Sequence, residues 1–259
     1  MAGVMRSPSQ IFHSRCFTRS VFQNNRADII ANELKFFSKS NNGITPNCID
    51  PWINHNRTIT TKSLEQMESI EPGITKGYYI PFYYLLYEKN YSVAELQDIA
   101  GDILRRPLKF YLKSKSRIEL KPYGVIPHLF LHSKDLYDLT KLLIELRLSE
   151  KEGYPIKHYE IFEQIMARIP TIAVMPIFQD NYKLLIESLD ILREKNNYSQ
   201  IIIEINFDWL EKAIEESKHS SQPNRNYFKE SPLSFTAMPC IVYAKIINER
   251  PFKFKFLSF

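Results

Sequence analysis

Apolar positions change period along the chain, and each period predicts an element. Val93, Leu96, Ile99, Ala100, Ile103 and Leu104 recur every three or four positions, which places them on one face of a helix. Ser92 and Glu95 open that helix as a capping box, each side chain able to satisfy the other's orphan amide, and Pro107 closes it. The same spacing predicts a helix from Ser133 with Leu136, Leu139, Leu143 and Leu146 inward, and one from Pro155 with Tyr159, Phe162, Ile165, Met166 and Ile169. Two more follow, over 180–196 with Leu185, Ile186, Leu189 and Leu192, and over 208–217 with Trp209, Leu210, Ala213 and Ile214.

Shorter apolar runs read as strands. Residues 78–84 are aromatic, 108–112, 117–120 and 124–131 are short and β-prone, and 171–178, uncharged, and 201–205, apolar apart from Glu204, are runs of the kind buried on both faces of a sheet. Residues 241–247 and 252–257 flank Glu249-Arg250-Pro251 as a closing antiparallel hairpin. Two largely apolar strands around the 180–196 helix fit a parallel crossover. The expected fold is therefore α/β or α+β: a mixed sheet with at least one parallel βαβ unit over 171–205, flanking amphipathic helices and a C-terminal hairpin.

Residues 28–59 predict a short helix at 28–37 followed by an irregular linker, because 38–59 is dense in Asn, Pro and Ser, which favour turns. The single folded domain is expected over 60–259.

Composition narrows the chemistry. The chain has 259 residues, 44% hydrophobic and 24% charged, which suits a soluble core-forming protein. Its seven glycines are too scattered to form a phosphate-cradling loop, and neither Gly-x-Ser-x-Gly nor Cys-x-x-Cys occurs. No cofactor or metal is implied. No uncharged run reaches the ~20 residues that span a bilayer, so no membrane span is expected.

Charge is concentrated at one end. Of 34 basic residues, four fall in residues 1–27 (Arg6, Arg15, Arg19, Arg26), and no acidic residue precedes Asp28, which leaves 30 basic against 29 acidic side chains in the rest. That N-terminal stretch also holds Ser, Thr and interspersed Ile, Val and Phe. An acid-free, arginine-bearing, helix-capable segment is what mitochondrial import reads, and Arg15-Cys16-Phe17-Thr18 resembles a processing site cut after Phe17. Residues 1–27 are accordingly expected to be an unstructured, targeting-like leader, with a disordered basic N-terminus as the plainer alternative.

Three other constellations carry chemistry. Asp102 with Glu119-Leu120-Lys121 has the layout of the PD-(D/E)XK nucleases, in which two carboxylates hold Mg²⁺ and the lysine steadies a water. Pro122 directly after the lysine is awkward for a central strand, and ordinary surface charges explain the same residues. His128 and His132 stand four apart but lack the intervening Glu of a hydrolytic metal site. Phe252, Lys253, Phe254 and Lys255 could stack bases and hold phosphates, or could form an edge strand guarded by lysine.

The leading expectation is a non-enzymatic factor that binds another protein and is directed to mitochondria, in the matrix or at the surface. A host protein and a bacterial effector with a borrowed address would share these features, and without the address the chain would stay in the cytoplasm. The alternatives are a Mg²⁺-dependent nuclease and a mitochondrial nucleic-acid-binding factor.

Overall fold

The computed structural model of the chain describes residues 6–22, 44, 46–101, 108–111, 117–120, 134–152, 155–195, 202–219 and 233–237. Those residues are mostly helical. Helices α1 (Pro8–Phe22), α2 (Pro46–Ile53) and α3 (Thr61–Ile70) lead through a 3₁₀ turn (Ile74–Gly77) to α4 (Pro81–Leu85) and α5 (Val93–Gly101). Strands β1 (Leu108–Tyr111) and β2 (Arg117–Leu120) come next, then α6 (Lys134–Glu152), α7 (Pro155–Ala173), α8 (Tyr182–Lys195), β3 (Ile202–Ile205), α9 (Phe207–His219) and β4 (Leu233–Ala237).

Local sequence explains several of the helix starts. At α1, Ser7 and Gln10 form a reciprocal capping box: the Gln10 amide donates to Ser7 Oγ at 3.4 Å, and the Ser7 amide donates to Gln10 Oε1 at 3.2 Å. Pro8 takes the first helical position, where no amide is missed. Thr60 accepts from the Ser63 amide at 3.2 Å to cap α3, and the predicted Ser92–Glu95 box caps α5 with bonds of 2.8 and 3.2 Å. Pro81 opens α4.

The body is organised around a helical hairpin. Ser149 meets His158 at 2.9 Å near the turn, and Asp138 meets Arg168 at 3.7 Å towards the far end, so α6 and α7 run antiparallel. Their Leu and Ile stripes, joined by α4, α5, α8 and α9, bury Leu139, Leu143, Phe162, Ile165, Ile169, Leu185 and Leu189 in one large cluster. A second, smaller cluster gathers Ile49, Trp52 and Ile53 of α2 with Leu64 and Met67 of α3. Helix α1 belongs to both: Phe12 and Cys16 sit in the large cluster, Phe17 and Phe22 in the small one.

The expected α/β fold is overturned. The strands among the described residues form two separate two-stranded antiparallel ladders, β1 with β2 and β3 with β4, and no mixed sheet joins them. The parallel βαβ unit over 171–205 does not exist. Its first strand is instead the last turn of α7 followed by turns leading to α8, and its second strand pairs antiparallel with β4. The physical reason is that the partly exposed Val174 and Met175 and the exposed Pro176 are as apolar as the buried Ile172, Ala173, Ile177 and Phe178, and a run without polar positions shows no period that separates helix from strand. Residues 78–84 also fail as a strand, because Pro81 nucleates α4 within them. The C-terminal hairpin over 241–257 lies outside the described residues.

Two further differences concern the N-terminal part. Residues 38–59 contain α2, whose Ile49, Trp52 and Ile53 are buried despite the turn-rich composition around them. Residues 8–22 are a helix enclosed by the fold rather than an unstructured leader. Ile11, Phe12, His13, Ser14, Cys16, Phe17, Thr18 and Phe22 are all buried, which leaves Arg15 and Arg19 among the few partly exposed side chains of α1.

Candidate functional site

Helix α1 carries the charges singled out from sequence, and the body holds it by polar as well as apolar contacts. The 3₁₀ turn beside it is fixed first. Glu68 of α3 reaches over to accept from the Gly73 amide at 2.6 Å, the Thr75 amide at 3.0 Å and the Thr75 hydroxyl at 2.7 Å. These bonds, the Thr75 hydroxyl foremost, hold the Glu68 carboxyl below its usual range. Gly73 has φ 92°, a left-handed conformation that glycine adopts without a Cβ clash. The turn delivers a tyrosine-rich segment, Tyr78, Tyr79, Tyr83, Tyr84 and Tyr87, against α1.

His13 is the centre of that contact. Its ring lies between Tyr78 and Tyr83, with centroids at 4.0 and 4.3 Å and interplanar angles of 26° and 13°. Nε2 is 2.6 Å from the Tyr78 carbonyl, and Nδ1 is 2.6 Å from the Tyr87 hydroxyl. A carbonyl only accepts, so Nε2 carries the proton and Nδ1 accepts from Tyr87. Burial then pushes the His13 pKa down to about 3, against a smaller opposing effect of the Tyr78 carbonyl, and the ring is neutral. With both nitrogens engaged, His13 has no lone pair to offer a substrate. Burial also raises the hydroxyl pKa values of Tyr83, Tyr84 and Tyr87, so these rings are neutral hydrogen-bonding groups as well.

The remaining polar groups of α1 are tied down in the same way. Thr18 donates to the Ser14 carbonyl at 2.7 Å, and Ser14 Oγ accepts from the Ile59 amide at 3.1 Å. Arg15 donates to Asn56 Oδ1 at 3.1 Å, while Arg19 pairs with Asp180 just before α8. The Cys16 thiol is fully buried and burial raises its pKa, which disfavours the reactive thiolate.

A second buried polar group lies on α6. Arg147 is enclosed, donates to Glu150 Oε1 at 2.7 Å, to the Tyr87 carbonyl at 3.2 Å and to the Lys89 carbonyl, and stacks over Tyr91 at 5.1 Å. It fastens the connection between α4 and α5 to α6. Nearby His158 is pushed down to about 4 by burial first and by the Arg147 charge second.

The sequence-derived candidates separate as follows. Arg15, Phe17 and Arg19 are brought together on α1; Arg6 is exposed just before it, and Arg26 lies outside the described residues. Glu119 occupies a register position on β2 opposite Lys109 of β1, and it is the one member of the nuclease constellation among the described residues, since Asp102 and Lys121 fall outside them. His128 and His132, like Phe252, Lys253, Phe254 and Lys255, also lie outside them. Among the described residues, no group of three or more His, Cys, Asp and Glu side chains is placed to hold a metal ion, and no helix is long and apolar enough to cross a membrane.

Sequence reasoning missed His13 and Arg147. The signal for Arg147 was present: it falls four residues after Leu143 on the apolar stripe of α6, a position where a charge must be buried or the stripe must end. His13 gave none, since its partners lie 65 and 74 residues away. No protein family matches the chain, and neither a similar curated protein nor a similar solved structure was found.

Proposed function

We propose that the chain is a non-enzymatic, protein-binding factor directed to mitochondria by its N-terminal segment. The observation that carries this reading is α1 itself: fifteen residues with no acidic side chain, helical in form, with Arg15 and Arg19 one turn apart. A receptor that recognises a basic, acid-free helical segment needs those cations together. The protein-binding part is supported by what the buried titratable groups do. His13 and Arg147 hold the architecture, and large apolar side chains reach the surface at Tyr79 and Phe207, 53% and 54% exposed. Aromatic residues of this kind are enriched in protein interfaces.

The deciding experiment fuses residues 1–40 to a fluorescent reporter. Delivery of the reporter to mitochondria, abolished by Arg15→Glu with Arg19→Glu, is the expected result. A diffuse cytosolic reporter refutes the address.

A further inference from the structure

We propose that folding switches the address off, so that the segment is readable only in the unfolded chain and is retained, uncut, in the folded protein. This rests on the reading of α1 as an address. A receptor must contact the apolar and cationic groups of α1 together, and the fold has enclosed the apolar ones while it pairs the partly exposed arginines. Phe12, Cys16, Phe17 and Phe22 are between 0 and 1% exposed. Arg15 is bonded to Asn56 and Arg19 to Asp180. Receptor binding and docking of α1 onto the body are therefore mutually exclusive uses of one surface, and folding shifts the population away from the readable state.

Retention follows from the same contacts. A cut after Phe17 would remove Phe12 from its stack with Phe178, 5.7 Å between centroids, and His13 from the Tyr78 carbonyl and Tyr87 hydroxyl. Both hydrophobic clusters would lose side chains, because α1 contributes to each. The segment is thus an address before folding and a structural helix afterwards.

The test measures binding at the surface of isolated mitochondria in the cold, where translocation is stopped, for three forms of the full chain. One is natively folded, one is freshly diluted from urea, and one is folded but carries a second copy of residues 1–27 joined ahead of Met1 by a flexible Gly/Ser linker. The diluted and the two-copy forms are expected to bind at least about tenfold more than the native form. Native binding as strong as that of the diluted and two-copy forms overturns the switch. No binding by any of the three forms overturns the address itself and the switch with it. After import of the single-copy chain into energised mitochondria, the N-terminal sequence of the product is expected to be intact through Phe17. A product that starts at Thr18 and remains folded overturns retention.

Discussion

Replacing Phe12 with alanine tests whether α1 holds the molecule together. The ring is fully buried and meets Phe82, Tyr83 and Phe178 at centroid distances of 6.2, 6.0 and 5.7 Å. Truncating a core Phe to Ala costs about 3–5 kcal/mol. Aromatic pairs add about 0.5–1.5 kcal/mol each beyond their buried area, which places Phe12→Ala in the upper half of that range. A loss of about 4 kcal/mol lowers the ratio of folded to unfolded chain by nearly a thousandfold. With a urea dependence of about 2–3 kcal/mol per molar, the midpoint falls by about 1.3–2 M.

The assay uses the two tryptophans. Trp209 reports on the large cluster and Trp52 on the small one, so Trp52→Phe and Trp209→Phe backgrounds isolate each signal. Because α1 is shared, Phe12→Ala is expected to move both midpoints together although the ring itself touches only the large cluster. A change below about 1 kcal/mol, or a shift confined to the Trp209 signal, refutes the placement of α1 between the two clusters.

Other outcomes follow from the polar groups. Arg147→Ala takes the donor from the Tyr87 and Lys89 carbonyls and breaks the buried ion pair with Glu150, and is expected to destabilise by about 3–5 kcal/mol in urea melts, with Arg147→Met milder. His13, at about 3 in the fold, takes up its proton first in the unfolded chain near its ordinary value of 6.5. Stability is therefore full above pH 6.5 and falls as pH drops from 6.5 towards 3. His13→Gln is expected to flatten the pH slope of the unfolding free energy between pH 6.5 and 4.5 by about one proton, and an unchanged slope contradicts the buried neutral ring. The chain with Mg²⁺ is expected not to nick plasmid DNA. Nicking that disappears in Glu119→Ala would restore the nuclease reading.

Much of the helical framework was legible because its signals are local. The Ser92–Glu95 box and the stripe from Leu185 to Leu192 depend on residues three or four apart, and α5 and α8 follow from them directly. The assembly of those helices was not legible, since it depends on pairs far apart in sequence. Residues 171–178 were ambiguous for a physical reason: exposed and buried positions alike are apolar, which erases period, and α7 continues through Pro170 to Ala173 where an uncharged run resembles a sheet-centre strand. The N-terminal segment misled differently. Its lack of acidic residues describes a leader equally well as a buried helix, because a helix enclosed by the core has no need of charge. Only the distant partners of His13, Tyr78 and Tyr87, distinguish the two states.

The ion pair between Arg19 and Asp180 spans 161 positions of sequence. Synthesis runs from the N-terminus at about 5–20 residues per second, so α1 emerges some 8–30 s before the segment that will cover it exists. During that interval no rearrangement of the nascent chain can complete the enclosure. The time is far longer than the microseconds in which a helix forms, and long enough for a diffusing partner to find it. The length of the chain between α1 and α8 thus acts as a clock, and shortening or slowing it would change how long the N-terminal helix stands open.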